Sequence, residues 1–213
     1  MSGRRETVRL FVAIELPGGL RSAVGRRVRE LRDDFPRARW VPPANLHLTL
    51  EFLGGVPRAR VEPLVESLAD AIAGCSTFSL ALRSAGVFPP RGPARVLWLG
   101  VDAGRSLADL QAKVSRAVRS ELASLPPARP WAPHLTVGRA RRPWPRRAAE
   151  RWCDAVDRDW GPPVEVHGVA LLESRLTPSG ARYSEVAGFG LEDASGTAMR
   201  TSSPAGRITE ESA

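Results

Sequence analysis

Two of the chain's three histidines stand in the same setting. His47 and His134 are each followed, two residues on, by a threonine, Thr49 and Thr136. In an extended strand, residues i and i+2 point to one face. Each His-x-Thr-x stretch would therefore present an imidazole beside a hydroxyl. Two imidazoles and two hydroxyls suit the hydrolysis of a phosphodiester. A water must lose a proton as it attacks phosphorus, and the departing alkoxide must gain one. The attacking and leaving oxygens lie roughly in line on opposite sides of phosphorus. Imidazole, with an unperturbed pKa of about 6.5, serves as base or acid near neutral pH. The threonine hydroxyls would hydrogen-bond the non-bridging oxygens, where negative charge sits in the transition state. Two plainer readings compete: a pair of metal ligands, and ordinary strands with a polar face in water. A metal needs further ligands, and no Asp, Glu or Cys shares a motif with both histidines. His167 has Val169 two residues on and reads as a structural strand histidine.

The elements that must position these groups can be read from hydrophobic period. Thr7 to Leu16 reads as a strand, and Gly18 to Phe35 as a helix carrying Leu20, Val24, Val28 and Leu31. Asn45 to Leu53 alternates, with Asn45, His47, Thr49 and Glu51 on one face and Leu46, Leu48, Leu50 and Phe52 on the buried other. A helix is expected over Pro57 to Ala73. Strands are expected over Phe78 to Phe88 and Ala94 to Val101, parted by a proline-rich turn, and then a helix over Leu107 to Leu125. A short strand over His134 to Arg139, a helix over Arg146 to Trp160, and strands over Val164 to Leu176 and Ala181 to Phe189 complete the series. Shifting the chain by 87 residues lays His47–Thr49 on His134–Thr136, Phe11 on Trp98, and Ala94-Arg95 on Ala181-Arg182. It also lays Phe78 beside Val164. The pattern implies an internal repeat: two similar lobes, each a sheet with helices, their histidine strands facing each other across a cleft.

Composition narrows the class. An apolar share of 43% and a charged share of 25% describe a globular chain rather than a disordered one. No apolar run reaches the roughly 18 residues of a membrane span, and the N-terminus lacks the marks of a signal peptide. Cys75 and Cys153 are too few and too far apart for a zinc site or disulfide framework, and read as reduced, buried thiols in a cytoplasmic protein. Thirty-one basic residues, all but Lys113 arginine, face 23 acidic ones, for a net charge of +8. Such an excess favours an anionic partner, nucleic acid first. The acid-free stretch past the second histidine holds Arg141, Arg142, Arg146 and Arg147, a candidate track for an RNA backbone. Phe88 and Tyr183 lie near strand ends, where either would stack on a terminal base or pack in the core. The polar segment 191–213 reads as a disordered tail, leaving 7–190 as a single domain.

Several stretches together resemble the two-histidine (2H) phosphoesterases, and within them the RNA 2′,3′-cyclic phosphodiesterases of bacteria and archaea, the ThpR or LigT family. They are Arg9 to Pro17, Trp40 to Gly54 around the first motif, Arg95 to Gly100, Pro133 to Arg139 around the second, and Leu172 to Tyr183. The resemblance implies an α+β, bilobal fold of two pseudo-symmetric sheet-plus-helix lobes around a central cleft. It implies a monomeric enzyme of RNA processing, tRNA included, that needs neither metal nor nucleotide cofactor. Its substrate would be RNA with a terminal 2′,3′-cyclic phosphate, opened to a 2′-phosphate. On this chain His47 would protonate the leaving 3′ oxygen, His134 would activate water, and Thr49 and Thr136 would hold the phosphate. Arg139 matches the family's basic residue after the second motif and would grip phosphate oxygens. The rivals are a phosphodiesterase of small cyclic nucleotides or of 2′–5′ oligonucleotides, and a non-catalytic RNA-binding module.

Overall fold

The computed structural model describes residues 7–127, 130–156, 160–178, 180–193 and 195–197. In chain order the elements are β1 (Thr7–Glu15), α1 (Gly18–Glu30), β2 (Ala38–Trp40), β3 (His47–Pro57), α2 (Val61–Ile72), β4 (Phe78–Phe88) and β5 (Ala94–Asp102). Then come α3 (Gly104–Glu121), β6 (His134–Trp144), α4 (Arg146–Val156), β7 (Val164–Val166), β8 (Gly168–Thr177) and β9 (Gly180–Gly190).

The helices form because their apolar residues recur at helical spacing. Leu20, Val24 and Val28 are buried on α1, and Leu64, Leu68 and Ile72 on α2. Leu107, Leu110, Val114 and Val118 are buried on α3, and Ala149, Trp152 and Val156 on α4. Each lays one stripe on the sheet and leaves the charged residues in water. Helix α1 stops at Glu30, short of the expected Phe35. There Asp33-Asp34 favours turns, and Pro36 disfavours helix at the residue before it.

All nine strands join one sheet, in the order β7-β4-β5-β6-β3-β1-β8-β9, with β2 pairing alongside β6. The sheet has two halves, β3-β1-β8-β9 and β6-β5-β4-β7. The histidine strands β3 and β6 are neighbours at the seam, joined by one antiparallel pair, Leu48 to Leu135. The lobes are thus two halves of a single sheet, and the cleft lies along their seam. The repeat is visible in the element bounds. A shift of 87 carries β1 onto β5 and β3 onto β6 without offset, and β4 onto β8 with an offset of about three residues. The likeness of Ala94 to Ala181 is not part of this symmetry, because β5 is an inner strand whose counterpart is β1, while β9 is an edge.

The repeat is also interlocked. The last strand of each repeat, β4 or β8, pairs with the first strand of the other, β5 or β1. The expected strand Val164 to Leu176 is accordingly two strands. Val164–Val166 pairs with β4 in one half, and Gly168–Thr177 with β1 and β9 in the other. His167 is the exposed link between them, so it belongs to no strand. Its carbonyl accepts the Leu191 N–H at 2.8 Å. Leu191 is fully buried and Glu192 bridges to Ser76, so the domain extends past the expected edge at 190. The rest of the expected tail, 194 and 198–213, lies outside the described residues. Neither of the two cysteines is in a disulfide, and both are half-buried rather than buried.

Candidate active site

The concave side of the seam holds a cleft of about 490 Å³. His47, Thr49, His134, Thr136, Arg139, Phe88 and Tyr183 all line it. Every site residue expected from the sequence is therefore brought to one place. Arg9, Phe11, Asn45 and Phe52 line it too.

Both imidazoles are held by one device. His47 Nδ1 lies 2.8 Å from the carbonyl of Asn45, and His134 Nδ1 lies 2.8 Å from the carbonyl of Ala132. A carbonyl only accepts, so each Nδ1 carries the proton and donates it. That fixes the tautomer and leaves each Nε2 to exchange protons with a ligand. Asn45 and Ala132 are themselves 87 positions apart. The Asn45 amide also donates to the Ala181 carbonyl at 2.8 Å, tying the first motif to the start of β9.

Aromatic rings wall each imidazole. Phe11 lies 4.9 Å and Tyr183 5.1 Å from the His47 ring, centre to centre. Phe88 stands edge-on to His134 at 4.9 Å, with Trp98 behind it at 5.3 Å. Burial holds His47 below the ordinary imidazole pKa of 6.5. The bond to Asn45 pulls the other way, and the positive charges of His134 and Arg139 add to the lowering.

Two bulges aim the remaining side chains. Between Thr49 and Glu51 strand β3 carries one residue more than β1, and Leu50 is the extra one. Between Thr136 and Gly138 strand β6 carries one more than β5, and Val137 is the extra one. A bulge leaves its extra residue unpaired and reverses the facing of the residues beyond it. Unbroken alternation from His134 would put Arg139 on the core face with Leu135 and Val137. The bulge turns it into the cleft instead. The same event turns Phe52, expected in the core, outward to 64% exposure. Backbone groups freed by the bulges find other partners, as buried polar groups must. The Thr49 carbonyl accepts the Trp131 indole N–H at 3.2 Å, and the Leu50 carbonyl accepts the Gln111 amide at 3.3 Å. The Val137 carbonyl accepts the Val41 N–H at 2.9 Å.

Sequence reading passed over Asn45, Phe52 and Trp98 as site residues. The first had a usable signal, since it stands two before His47 as Ala132 does before His134. The acid-free arginines fall elsewhere: Arg146 pairs with Glu150 at 2.7 Å, and Arg142 lines a separate hollow with Asp34 and Arg37. Among the described residues no three His, Cys, Asp or Glu side chains gather as metal ligands would. No helix among them is long and apolar enough to cross a membrane.

Residues 14–98 match the family model described as LigT like phosphoesterase. The RNA 2′,3′-cyclic phosphodiesterase of Methanothermobacter thermautotrophicus is 35% identical over 86% of this chain and 99% of its own. That of Thermus thermophilus is 34% identical over 86% and 90%. Among solved structures, a Thermus thermophilus protein superposes with a TM-score of 0.70 at 30% identity, covering 86% of this chain and 97% of its own. Escherichia coli LigT complexed with 3′-AMP also superposes at 0.70, at 26% identity, over 87% and 99%. The likeness runs through both halves of the interlocked sheet and nearly the full length of these relatives, and by it the chain belongs to the LigT-like phosphoesterase family.

Proposed function

We propose that the protein hydrolyses the terminal 2′,3′-cyclic phosphate of RNA to a 2′-phosphate by paired acid–base catalysis. One observation carries the reading: two imidazoles of fixed tautomer, each beside a threonine, share one cleft with Arg139. Several relatives bear the name RNA 2′,3′-cyclic phosphodiesterase, and Escherichia coli LigT has been crystallised with phosphate and with 3′-AMP.

In the reaction a water oxygen bonds to phosphorus while His134 Nε2 takes its proton. The bond from phosphorus to O3′ breaks, and O3′ takes the proton of His47 Nε2. Thr49, Thr136 and Arg139 hold the non-bridging oxygens, where donors aimed at developing charge lower the barrier. Phe88 and Tyr183 flank the terminal nucleoside. The assignment of His47 as acid and His134 as base comes from the family resemblance. No metal enters these steps, and hydrolysis should persist in EDTA. Neither cysteine is in a disulfide, which suits the reducing cytoplasm, and the family resemblance favours a monomer.

An RNA ending in 2′,3′-cyclic phosphate tests the reading. The product should carry a 2′-phosphate, and His47→Ala and His134→Ala should each slow turnover at least about 10²-fold, the scale of a lost general acid or base. A 3′-phosphate product, or near-full activity in either variant, would overturn it.

A further inference from the structure

A second hollow of about 990 Å³ opens from the catalytic cleft. The two share Thr49, Phe52, Phe88 and His134. From there it runs between α3, which contributes Gln111, Ser115, Arg116 and Arg119, and a wall that includes Pro126 and Trp131. The chemistry above uses none of its α3 wall. We propose that this groove binds the RNA nucleotides on the 5′ side of the one bearing the cyclic phosphate, with Phe52 and Trp131 as stacking faces and Arg116 on the backbone. The proposal rests on the hydrolase reading and names where the rest of its substrate lies.

Three observations carry it. The first is continuity. A cyclic phosphate involves only the last ribose, so a longer substrate must leave the cleft, and this groove opens at the catalytic residues themselves. Of the arginines past the second motif, Arg142 lines a separate hollow and Arg146 is paired with Glu150.

The second is the lining. Phe52 is 64% exposed at the junction of the two hollows, although a phenylalanine in a strand ordinarily packs inward. The Leu50 bulge puts it there, and the Trp131 bond to the bulge carbonyl of Thr49 fixes the opposite wall. Aromatic faces on a fixed frame are how single-stranded nucleic acid is held without sequence preference.

The third is charge. Glu51 lies within the groove but is paired with Arg119 at 3.0 Å. Arg116 has no carboxylate partner among the described residues and leaves the groove net positive. A cation beside aromatic faces suits a phosphodiester chain.

The two halves of the fold differ at one equivalent position. Phe52 occupies on β3 the position that Arg139 occupies on β6, each placed by an equivalent bulge. One half of the repeat supplies a cation to the cleft, and the other supplies an apolar face.

The test measures binding and turnover separately. Affinities are taken for an adenosine 2′-phosphate and for a tetraribonucleotide ending in 2′-phosphate, and kcat/KM for the matching cyclic phosphates. The tetranucleotide should bind more tightly. Phe52→Leu should weaken its binding about tenfold relative to the mononucleotide, the scale of one lost base stack, and Phe52→Trp should restore it. Arg116→Ala should flatten the dependence of log affinity on log salt by about 0.7, the mark of one lost contact to a single strand. Equal binding of the two ligands, or equal losses on both, would overturn the groove. If the unaltered protein hydrolysed neither substrate yet bound the tetranucleotide with these dependences, the groove would stand and the hydrolase reading would fall.

Discussion

At the scale of single residues, the two histidines are alike in tethering and unlike in surroundings. Both donate Nδ1–H to the carbonyl two residues back. Only His47 is packed between Phe11 and Tyr183, and burial lowers its pKa, with help from the charges of His134 and Arg139. A general acid must carry its proton, so in the free protein the active form of His47 is the majority form only at a pH on the acid side of 6.5. The alkaline limb of kcat/KM, which reports the free enzyme, should therefore fall as pH rises through a value on the acid side of 6.5. A bound phosphate anion favours imidazolium, so the same limb in kcat should lie at higher pH. Arg139→Gln removes one of the charges that depress His47, and its proton resonances should then titrate at higher pH than in the unaltered protein. A downward or absent shift in an NMR titration would detach Arg139 from the pair. These residues were legible because histidine and threonine are scarce and recur at one spacing. The inequality of the histidines was not legible, because the rings flanking His47 arrive from strands distant in the chain.

At the scale of elements, the alternation that exposes a motif also misleads beyond it. Leu46, Leu48 and Leu50 face the core as their period says, but the bulge at Leu50 reverses the residues after it, and Phe52 emerges where burial was expected. A bulge is a backbone event, and neither Leu50 nor Val137 differs in type from an ordinary strand residue. The three-residue β2 was missed for a related reason: it has too few residues to show a period. Behind His134 the support is again backbone. The Gly86 carbonyl accepts the indole N–H of fully buried Trp152 at 3.1 Å, which fastens β4 to α4. Opposite Gly86 lies the Trp98 ring, so close that a Cβ there would fall within its van der Waals envelope. Trp98 in turn backs Phe88, which stands against His134. Gly86→Ala should therefore push Trp98 off its seat, at about 1–3 kcal/mol of stability from overpacking. Turnover should fall with little change in the apparent binding of inorganic phosphate, since Thr49, Thr136 and Arg139 sit on β3 and β6. Urea unfolding together with steady-state kinetics reads both effects. Lost stability with unchanged kcat would mean that the Trp98–Phe88 stack does not orient His134.

At the scale of the molecule, the interlocking of the repeats decides how the site is held. Were each repeat its own lobe, the cleft would rest on the Leu48–Leu135 pair and the three-residue β2–β6 ladder at the seam. Instead β4 crosses to pair with β5 and β7, and β8 crosses to pair with β1. The two repeats cannot part without breaking both sets of ladders. Helices reinforce the same boundary, with α2 packed on α3 and α3 on β3. Neither half should therefore fold alone. Cutting the chain in the turn between Phe88 and Ala94 would leave β4 in the first piece without either neighbour. In the second piece β5-β6 and β8-β9 would remain as pairs with nothing between them. Two-stranded ribbons of that kind are marginal at best in water. The intact protein should unfold in one cooperative transition, with circular dichroism and tryptophan fluorescence coinciding. The pieces 1–90 and 91–213 made separately should show no such transition. Mixed, they should restore it together with hydrolysis, because the surfaces they bury against each other are those the intact fold buries. A cooperative transition in either piece alone would show that the repeats are separable lobes, and that the seam rather than the exchange of strands holds the two histidines in register.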